Sequence, residues 1–274
     1  MSSILTNSSA LTALQNLSNT QRSLSKTQSQ ISTGLKVATA ADNSTNWSVS
    51  TKMKAENSVV GTIKDKLKEN SALVKTATAA LTQIADTLTK MKEQATQAGD
   101  VDGTSGYNEV NKALAGLAKT LTGLIDGASF NGVNILNSAT AGVNIVSGWG
   151  GATFTTIDLT SQDLKTTLTT AVTAPTTIAS KANAETLHAA LDTGLTAVRE
   201  YAADLGAVQN QIDAQSEFLE SLSNSLTNGV SSMVDADMNE ASTRLQALQT
   251  QQQLGVQSLS IANQNSQMIL KLFQ

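Results

Sequence analysis

Hydrophobic side chains recur along most of the chain at alternate steps of four and three residues. Between residues 49 and 98 only Glu56 and Asn70 break this series, and the segment contains no proline. A period of seven sustained over such a length is typical of coiled-coil helices rather than of ordinary globular helices. The pattern predicts one helix of about 50 residues. Its apolar positions are Val49, Met53, Val60, Ile63, Leu67, Val74, Ala77, Leu81, Ile84, Leu88, Met91, Ala95 and Ala98.

The middle of the chain has a different pattern. The cluster Gly99–Gly103 predicts the end of the first long helix, and a shorter apolar seam at residues 107–124 predicts another. After Phe130, short β-type runs at 143–146 and 154–159 flank Gly148-Trp149-Gly150-Gly151. Such a sequence predicts a β-hairpin within about 130–160, with the glycines at its tip. The single proline, Pro175, falls in a threonine-rich connector.

The helical period returns at Ala184 and predicts a second long helix. Its register slips near Val234–Asp237, which indicates a joint between two helices rather than one continuous rod. The seam before the slip consists of Leu187, Leu191, Val198, Tyr201, Leu205, Val208, Ile212, Leu219, Leu222, Leu226 and Met233, interrupted by Gly194, Gln215 and Gly229.

The two ends of the chain resemble each other in composition. Residues 1–41 contain no acidic residue, and residues 245–274 contain Lys271 as their one charge. Exposed helix faces ordinarily carry Glu and Lys, so helices this uncharged are poorly solvated alone. We therefore expect the ends to pair as helices. Their seams include the large apolar residues Leu14, Leu17, Leu24, Ile31 and Leu35 at one end and Leu245, Leu248, Leu259, Ile269 and Phe273 at the other.

The C-terminal segment carries a second apolar row, at Ala247, Leu254, Ile261 and Met268. This row lies about 100° or more round the helix from the first seam, so one partner helix cannot cover both. We expect the ends to pack on each other and also on neighbouring copies. The competing interpretation, two frayed amphipathic tails, leaves the second row unexplained.

Together these patterns predict a mainly α fold with long coiled-coil-like helices, paired N- and C-terminal helices and a small β-hairpin region. They also predict two domains. Residues 1–46 with 235–274 would form an inner core domain of paired terminal helices and their connecting spoke. Residues 47–234 would form an outer helical domain that contains the hairpin.

Composition excludes several classes of function. The chain has no cysteine and one histidine, which removes disulfides, thiolate nucleophiles and Cys-based metal sites. Its net charge is −4, without the basic stripe that nucleic-acid binding needs. No stretch approaches the roughly 20 apolar residues of a membrane span. We expect no cofactor, no metal and no catalytic activity.

Three local motifs suggest sites, but a structural interpretation suits each better. Residues 235–239 have the opening spacing of an EF-hand loop, yet Glu240 and Gln246 replace its glycine and final glutamate. We expect the aspartates there to cap the last helix. His188 is expected to be a solvated helical histidine. Gly148-Trp149-Gly150-Gly151 lacks the strand–loop–helix context of a phosphate loop, which favours a hairpin tip.

Several segments, in order along the chain, resemble bacterial flagellin. Ile31-Ser-Thr-Gly-Leu-Lys-Val37, followed by Ala41-Asp42, is similar to the family's N-terminal signature. Phe130-Asn-Gly-Val-Asn-Ile-Leu-Asn137 resembles its F-N-G-x-x-L-L segment, and Leu205-Gly-Ala-Val-Gln-Asn210 its L-G-A-x-Q-N motif. The last forty residues resemble its C-terminal helix. Each motif alone is weak, but jointly they span the chain and are highly specific.

The resemblance implies a structural subunit that polymerises with itself into the flagellar filament used for swimming. It implies unfolded export through a flagellar type III apparatus without a cleaved signal peptide, hence an extracellular location. It also implies an export chaperone, junction proteins and a cap protein as partners. The absence of the variable outer domains found in longer members predicts a thin, smooth filament.

The resemblance further implies contact with a host Toll-like receptor, through a segment that typically reads Q-R-V-R-E-L-A-V-Q. Here Gln94 and Thr96 stand where apolar residues are usual. A polar residue at a central anchor position weakens an interface, so we expect weak receptor recognition. The residues that keep the segment's character are Lys90, Lys92, Glu93, Ala95 and Gln97.

Two alternatives remain open at the level of sequence. A hook–filament junction protein has similar chain ends, although the motifs in the middle of the chain favour flagellin. An enzyme such as a metallopeptidase inserted in a filament protein would need an H-E-x-x-H motif or a comparable cluster. The sequence contains neither.

Overall fold

The computed structural model describes residues 7–100, 104–137, 143–151, 153–173 and 178–272. Within these ranges the chain forms six helices and one two-stranded antiparallel sheet, so the mainly α prediction is confirmed. The elements are α1 (Ser8–Thr33), α2 (Ser44–Gly99), α3 (Thr104–Gly127), β1 (Val143–Trp149), β2 (Phe154–Leu159), α4 (Leu164–Thr173), α5 (Lys181–Val234) and α6 (Met238–Leu272).

The chain divides into two compact units. Unit 1 comprises Met1–Asn57 and Asn224–Gln274, and unit 2 comprises Ser58–Ser223. The functional division expected at 46/47 and 234/235 stays a prediction.

The core of unit 2 follows the predicted heptad positions. Along α2 the side chains of Leu67, Val74, Ala77, Ile84 and Met91 are fully excluded from solvent. Most of the matching α5 seam in this unit is buried as well, although Val208 and Leu222 are half-buried. The buried apolar positions of α5 in this unit are Ala184, Leu187, Leu191, Leu195, Val198, Tyr201, Leu205, Ile212 and Leu219.

The predicted β-hairpin is confirmed. Val143 pairs with Leu159 at one end of the ladder and Trp149 pairs with Phe154 at the other, with a bulge between Val146 and Gly148. Gln215, which interrupts the α5 seam in sequence, donates its amide to the carbonyl of Ser147 at 2.8 Å. The interruption is thus a polar anchor that holds the hairpin on α5.

A tight turn precedes the hairpin. Phe130 and Val133 exchange both backbone hydrogen bonds at 2.9 Å, while Asn131 and Gly132 have φ values of 50° and 79°. Positive φ at both central residues is the conformation that Asn-Gly adopts most readily. The F-N-G motif therefore has a direct conformational role.

One helix was not predicted. Residues 164–173 form α4, although the threonine-rich sequence around them suggested a connector. Asp163 caps this helix, since its Oδ1 accepts the amide of Thr166 at 2.9 Å. Leu164 and Leu168, one turn apart, are buried. Threonine is a weak helix former, and tertiary burial of two leucines outweighs that preference here. Pro175 lies outside the described residues.

Candidate assembly surfaces

The terminal helices α1 and α6 pack against each other in antiparallel orientation. The side chain of Asn7 caps α1 by accepting the amide of Ala10 at 3.0 Å and also donates to the carbonyl of Ala262 at 3.0 Å. Further along, a Cβ added to Gly255 would lie 3.3 Å from Leu17 Cδ1, so the helices approach closely there. The pairing predicted from the uncharged ends is confirmed.

The pairing covers only part of the apolar surface of these helices. The first-seam leucines Leu17, Leu24, Leu245, Leu248 and Leu259 are half-buried, as is Ile31. The second row of α6 remains in solvent, with Leu254 60% and Ile261 54% exposed. On α1, Leu14 is 56% exposed although the sequence placed it on the seam. The subunit thus carries a sparsely charged helix pair whose outer apolar row has no cover among the described residues.

Two predicted seam residues near the C-terminus have no described side chain. Ile269 belongs to α6, but its side chain lies outside the described part of the chain, and Phe273 lies outside altogether. Leu35 is described but is not part of a helix, because α1 ends at Thr33 and is capped by Gly34, whose φ is 72°. Leu35 instead forms an isolated β-bridge with Asp235.

This bridge belongs to a short crossing of two connectors in unit 1. The amide of Lys36 donates to the carbonyl of Val234 at 2.7 Å, and the amide of Ala236 donates to the carbonyl of Gly34 at 2.9 Å. The backbone after α1 is thereby fixed to the backbone between α5 and α6. The register slip read from the sequence corresponds to this joint.

The acidic residues at the joints have structural roles. Asp237 caps α6, since its Oδ1 accepts the amide of Asn239 at 2.8 Å, which confirms the capping interpretation of the EF-hand-like stretch. Asp42 pairs with Lys26 at 3.0 Å and accepts the amide of Thr39. Its pKa is lowered, chiefly by the hydrogen bond from Lys26. No group of three or more potential metal ligands occurs among the described residues.

Tyr201 is a structural residue whose role sequence reasoning missed, since the pattern showed only an apolar seam position. Its ring is buried, and its hydroxyl shares its one proton between the carbonyls of Thr160 at 2.9 Å and Ile135 at 3.1 Å. Both acceptors lie in the irregular segments beside the hairpin. Burial raises the pKa of Tyr201 to about 12. This contact secures the hairpin region to α5.

The receptor-like segment lies on the last turns of α2. Lys90, Glu93 and Gln97 are exposed, while Lys92 and Gln94 are half-buried. The ammonium of Lys92 pairs with Asp192 of α5, and this hydrogen bond is the main cause of the lowered pKa of that carboxyl group.

His188, the single histidine of the chain, is half-buried on α5. Its Nδ1 lies 3.6 Å from an Asp192 carboxylate oxygen, one helical turn away. This contact with a residue of the same helix agrees with the interpretation of a structural rather than a catalytic histidine. Among the described residues, no helix is both long and apolar enough to cross a membrane.

Comparison with known proteins places this architecture in one family. The bacterial flagellin N-terminal helical region matches residues 4–141, and the bacterial flagellin C-terminal helical region matches residues 188–273. A flagellin of Brucella melitensis biotype 1 is 39% identical over 282 aligned positions, which cover 100% of both chains. Flagellin FljM of Caulobacter vibrioides is 37% identical, with 100% of this chain and 99% of that protein covered.

A solved structure agrees at the level of fold. The crystal structure of Bacillus cereus flagellin superimposes with a TM-score of 0.50 at 24% identity, covering 56% of this chain and 88% of that one. The sequence matches extend over nearly the whole chain, and the paired terminal helices and hairpin accord with them. The chain therefore belongs to the bacterial flagellin family.

Proposed function

We propose that this chain builds a homopolymeric flagellar filament by completing its terminal helix pair against neighbouring copies. As a flagellin, the chain is a structural subunit of the flagellar filament, which lies outside the cell. The proposal concerns how it assembles. The observation that carries it is the outer apolar row of α6, where Leu254 and Ile261 remain more than half exposed within residues 245–270, which contain no charged residue.

The energetics of this row favour burial in a polymer. Fully burying a leucine or isoleucine side chain contributes about 1.5–3 kcal/mol. Leu254 and Ile261 of α6, together with Leu11 and Leu14 of α1, each keep at least half of their surface in water. The entropy lost when the chain ends become ordered opposes the free energy gained by burial, so several of these side chains must be buried together. The proposed assembly surface also includes Ile269 and Phe273, which the apolar periodicity of the sequence places on the C-terminal seam.

Purified chain is expected to polymerise into long filaments, visible by negative-stain electron microscopy. Limited proteolysis provides the structural readout, because residues that assembly buries become resistant to cleavage. Cleavage within α6 is expected to be at least tenfold slower in filaments than in unpolymerised subunit. Equal cleavage rates in both states would refute completion of the helix pair on assembly.

The same micrographs distinguish the remaining alternative, a hook–filament junction protein. A junction protein caps or bridges other polymers and forms no long homopolymer by itself. Long filaments from the pure chain would exclude that role, whereas persistent monomers or short rings would favour it.

We further propose unfolded export through the flagellar export apparatus, with an export chaperone, junction proteins and a cap protein as partners. The absence of cysteine supports transfer in an unfolded state, because no disulfide can form between unfolded chains. The proposed inner core domain, residues 1–46 with 235–274, would be the part that folds last, at the site of assembly.

We also propose that a host Toll-like receptor recognises this flagellin weakly. Gln94 is half-buried on α2, and Thr96 is exposed with its hydroxyl bonded to the carbonyl of Lys92. Both present polar groups where an apolar anchor would strengthen an interface.

The double substitution Gln94→Leu with Thr96→Val is expected to raise activation in a receptor reporter-cell assay at least tenfold. The substitution Lys119→Leu, on exposed α3, serves as the control for added apolar surface. Strong activation by the unmodified chain would contradict the prediction.

A further inference from the structure

The free end of the hairpin carries an exposed aromatic pair. Trp149 and Phe154 form the last pair of the ladder, with ring centroids 4.7 Å apart and planes inclined at 51°. They are 43% and 58% exposed, in a chain where aromatic residues make up only 3% of the sequence. Large aromatic side chains are concentrated at the centres of protein interfaces. We call Trp149 with Phe154 the aromatic knob.

A second surface of unit 2 has the opposite shape. Two adjoining concavities, of about 310 and 390 Å³, run along the junction of α2 and α5. Each has more than twice the roughly 150 Å³ of an enclosed protein cavity that accommodates a benzene ring. Small side chains leave this space open, and Lys75 borders both concavities. We call this surface the α2–α5 groove, and its lining includes Ser71, Ala72, Ala79, Gly206 and Ile212 with Lys68 and Lys75.

The knob and the groove lie on different sides of α5 at the same level. Gln215 holds the hairpin through the carbonyl of Ser147, whereas Asp213 borders the groove. Two residues apart on a helix corresponds to about 200° of rotation, so these side chains point nearly opposite ways. The hairpin is therefore anchored on a face of α5 other than the one on which Asp213 borders the groove.

The charged residues that line the groove are Lys68, Lys75 and Asp213, and the carboxylate of Asp213 accepts the amide of Gln209 at 2.8 Å. Lys64 and Lys66 are paired with Glu220 and Glu69, at 3.7 and 2.8 Å. Lys68 and Lys75, in contrast, are exposed and form no ion pair within the described ranges. An ammonium group is attracted to the face of an indole or phenyl ring, most strongly where the contact is shielded from water.

We propose that the aromatic knob of one copy seats in the α2–α5 groove of a neighbouring copy, with Lys68 and Lys75 over its rings. The occupant is a second copy because this chain itself supplies the complementary surface. A knob and a groove on opposite sides make a heterologous contact, which repeats from copy to copy without closing a two-fold dimer. This inference rests on the proposed homopolymer and names one of its lateral contacts.

Engineered cysteines test the contact directly, because the natural chain has none. The variant Thr153→Cys with Ala79→Cys places one thiol beside the knob and one in the groove. Filaments of this variant, oxidised and then dissolved in denaturant, are expected to run as a ladder of covalent multimers on a gel. The matched variant Thr153→Cys with Ala115→Cys moves the second thiol to the exposed face of α3. It is expected to give less than a tenth of that ladder.

Removal of the knob provides the second measurement. Trp149→Ala with Phe154→Ala is expected to raise the critical concentration for polymerisation at least tenfold. The ring exchange Trp149→Phe with Phe154→Trp keeps aromatic surface and is expected to retain polymerisation within threefold. Circular dichroism of the subunits checks that both variants remain folded. Two results would overturn the knob contact while the filament function stands, provided that the unmodified chain forms filaments. One is the absence of a ladder from the variant Thr153→Cys with Ala79→Cys, and the other is an unchanged critical concentration after removal of the knob. If the unmodified chain forms no filament, the proposed function fails first.

Discussion

Replacing Leu254 with Glu is expected to abolish filament formation while leaving the folded subunit as stable as the parent chain. In the subunit Leu254 is 60% exposed, so a carboxylate there remains hydrated. In the filament the same position would be enclosed by a neighbouring copy, and enclosing an unpaired carboxylate costs several kcal/mol. Because 1.4 kcal/mol corresponds to a factor of ten, the critical concentration should rise at least ~100-fold. Sedimentation of polymer from subunit at increasing concentrations measures this value.

Two controls separate position from charge for this prediction. Leu254→Met keeps apolar volume and should polymerise within about threefold of the parent, since volume-conserving apolar exchanges are tolerated. Ser260→Glu introduces the same charge on an exposed face of α6 about 120° away and should impair assembly much less. Polymerisation of the Leu254→Glu variant at the parent's critical concentration would disprove burial of the outer row. So would equal losses in both glutamate variants.

Replacing Tyr201 with Phe is expected to lower the free energy of unfolding of the subunit by about 0.5–1.5 kcal/mol, because Thr160 is exposed and water can replace the lost donor. The exchange keeps the buried ring but removes the donor to the carbonyl of Thr160. The carbonyl of Ile135 keeps the amide of Gln162 at 3.1 Å, so one acceptor rather than two is left short of a donor. Urea unfolding followed by circular dichroism measures the change. Tyr107→Phe, at a half-buried tyrosine of α3, is the matched control and should change stability by less than about 0.5 kcal/mol.

Tyr201 also gives the subunit a specific dependence on alkaline pH. Burial raises its pKa from the ordinary 10.0 to about 12 in the folded state. The neutral hydroxyl is therefore favoured by folding. Its contribution is fully present below pH 10 and is lost as pH rises through 12, at up to about 1.4 kcal/mol per pH unit. The difference in unfolding free energy between parent and Tyr201→Phe should shrink over this interval. A difference that stays constant from pH 9 to 12 would contradict the assigned role.

The flagellin motifs can now be connected with local physical requirements. Gly34 ends α1 in a left-handed conformation, and the Asn-Gly pair at 131–132 forms a two-residue turn. Asp42 joins the connector to α1 through Lys26. These two motifs therefore contain residues that fix the direction of the chain after a helix, where few side chains satisfy the geometry.

Sequence periodicity determined the long helices, the hairpin, the joint before α6 and the pairing of the chain ends. These features follow from regular apolar spacing, from glycines and from runs without charge, all of which depend on neighbours close in sequence. The same periodicity placed Leu14 and Leu35 on the terminal seam. One is mostly exposed, and the other lies beyond the helix after Gly34.

Contacts between residues distant in sequence decided the remainder. Burial of Leu164 and Leu168 stabilises helix α4, although the threonines around them have low helix propensity. Gln215 and Tyr201 anchor the hairpin region through backbone carbonyls that no periodicity can identify. Likewise, the sequence indicated that α6 has two apolar rows, but only packing against α1 decided which row stays in solvent. A helix fixes the angle between its own side chains, whereas the face that becomes buried depends on where the partner helix lies.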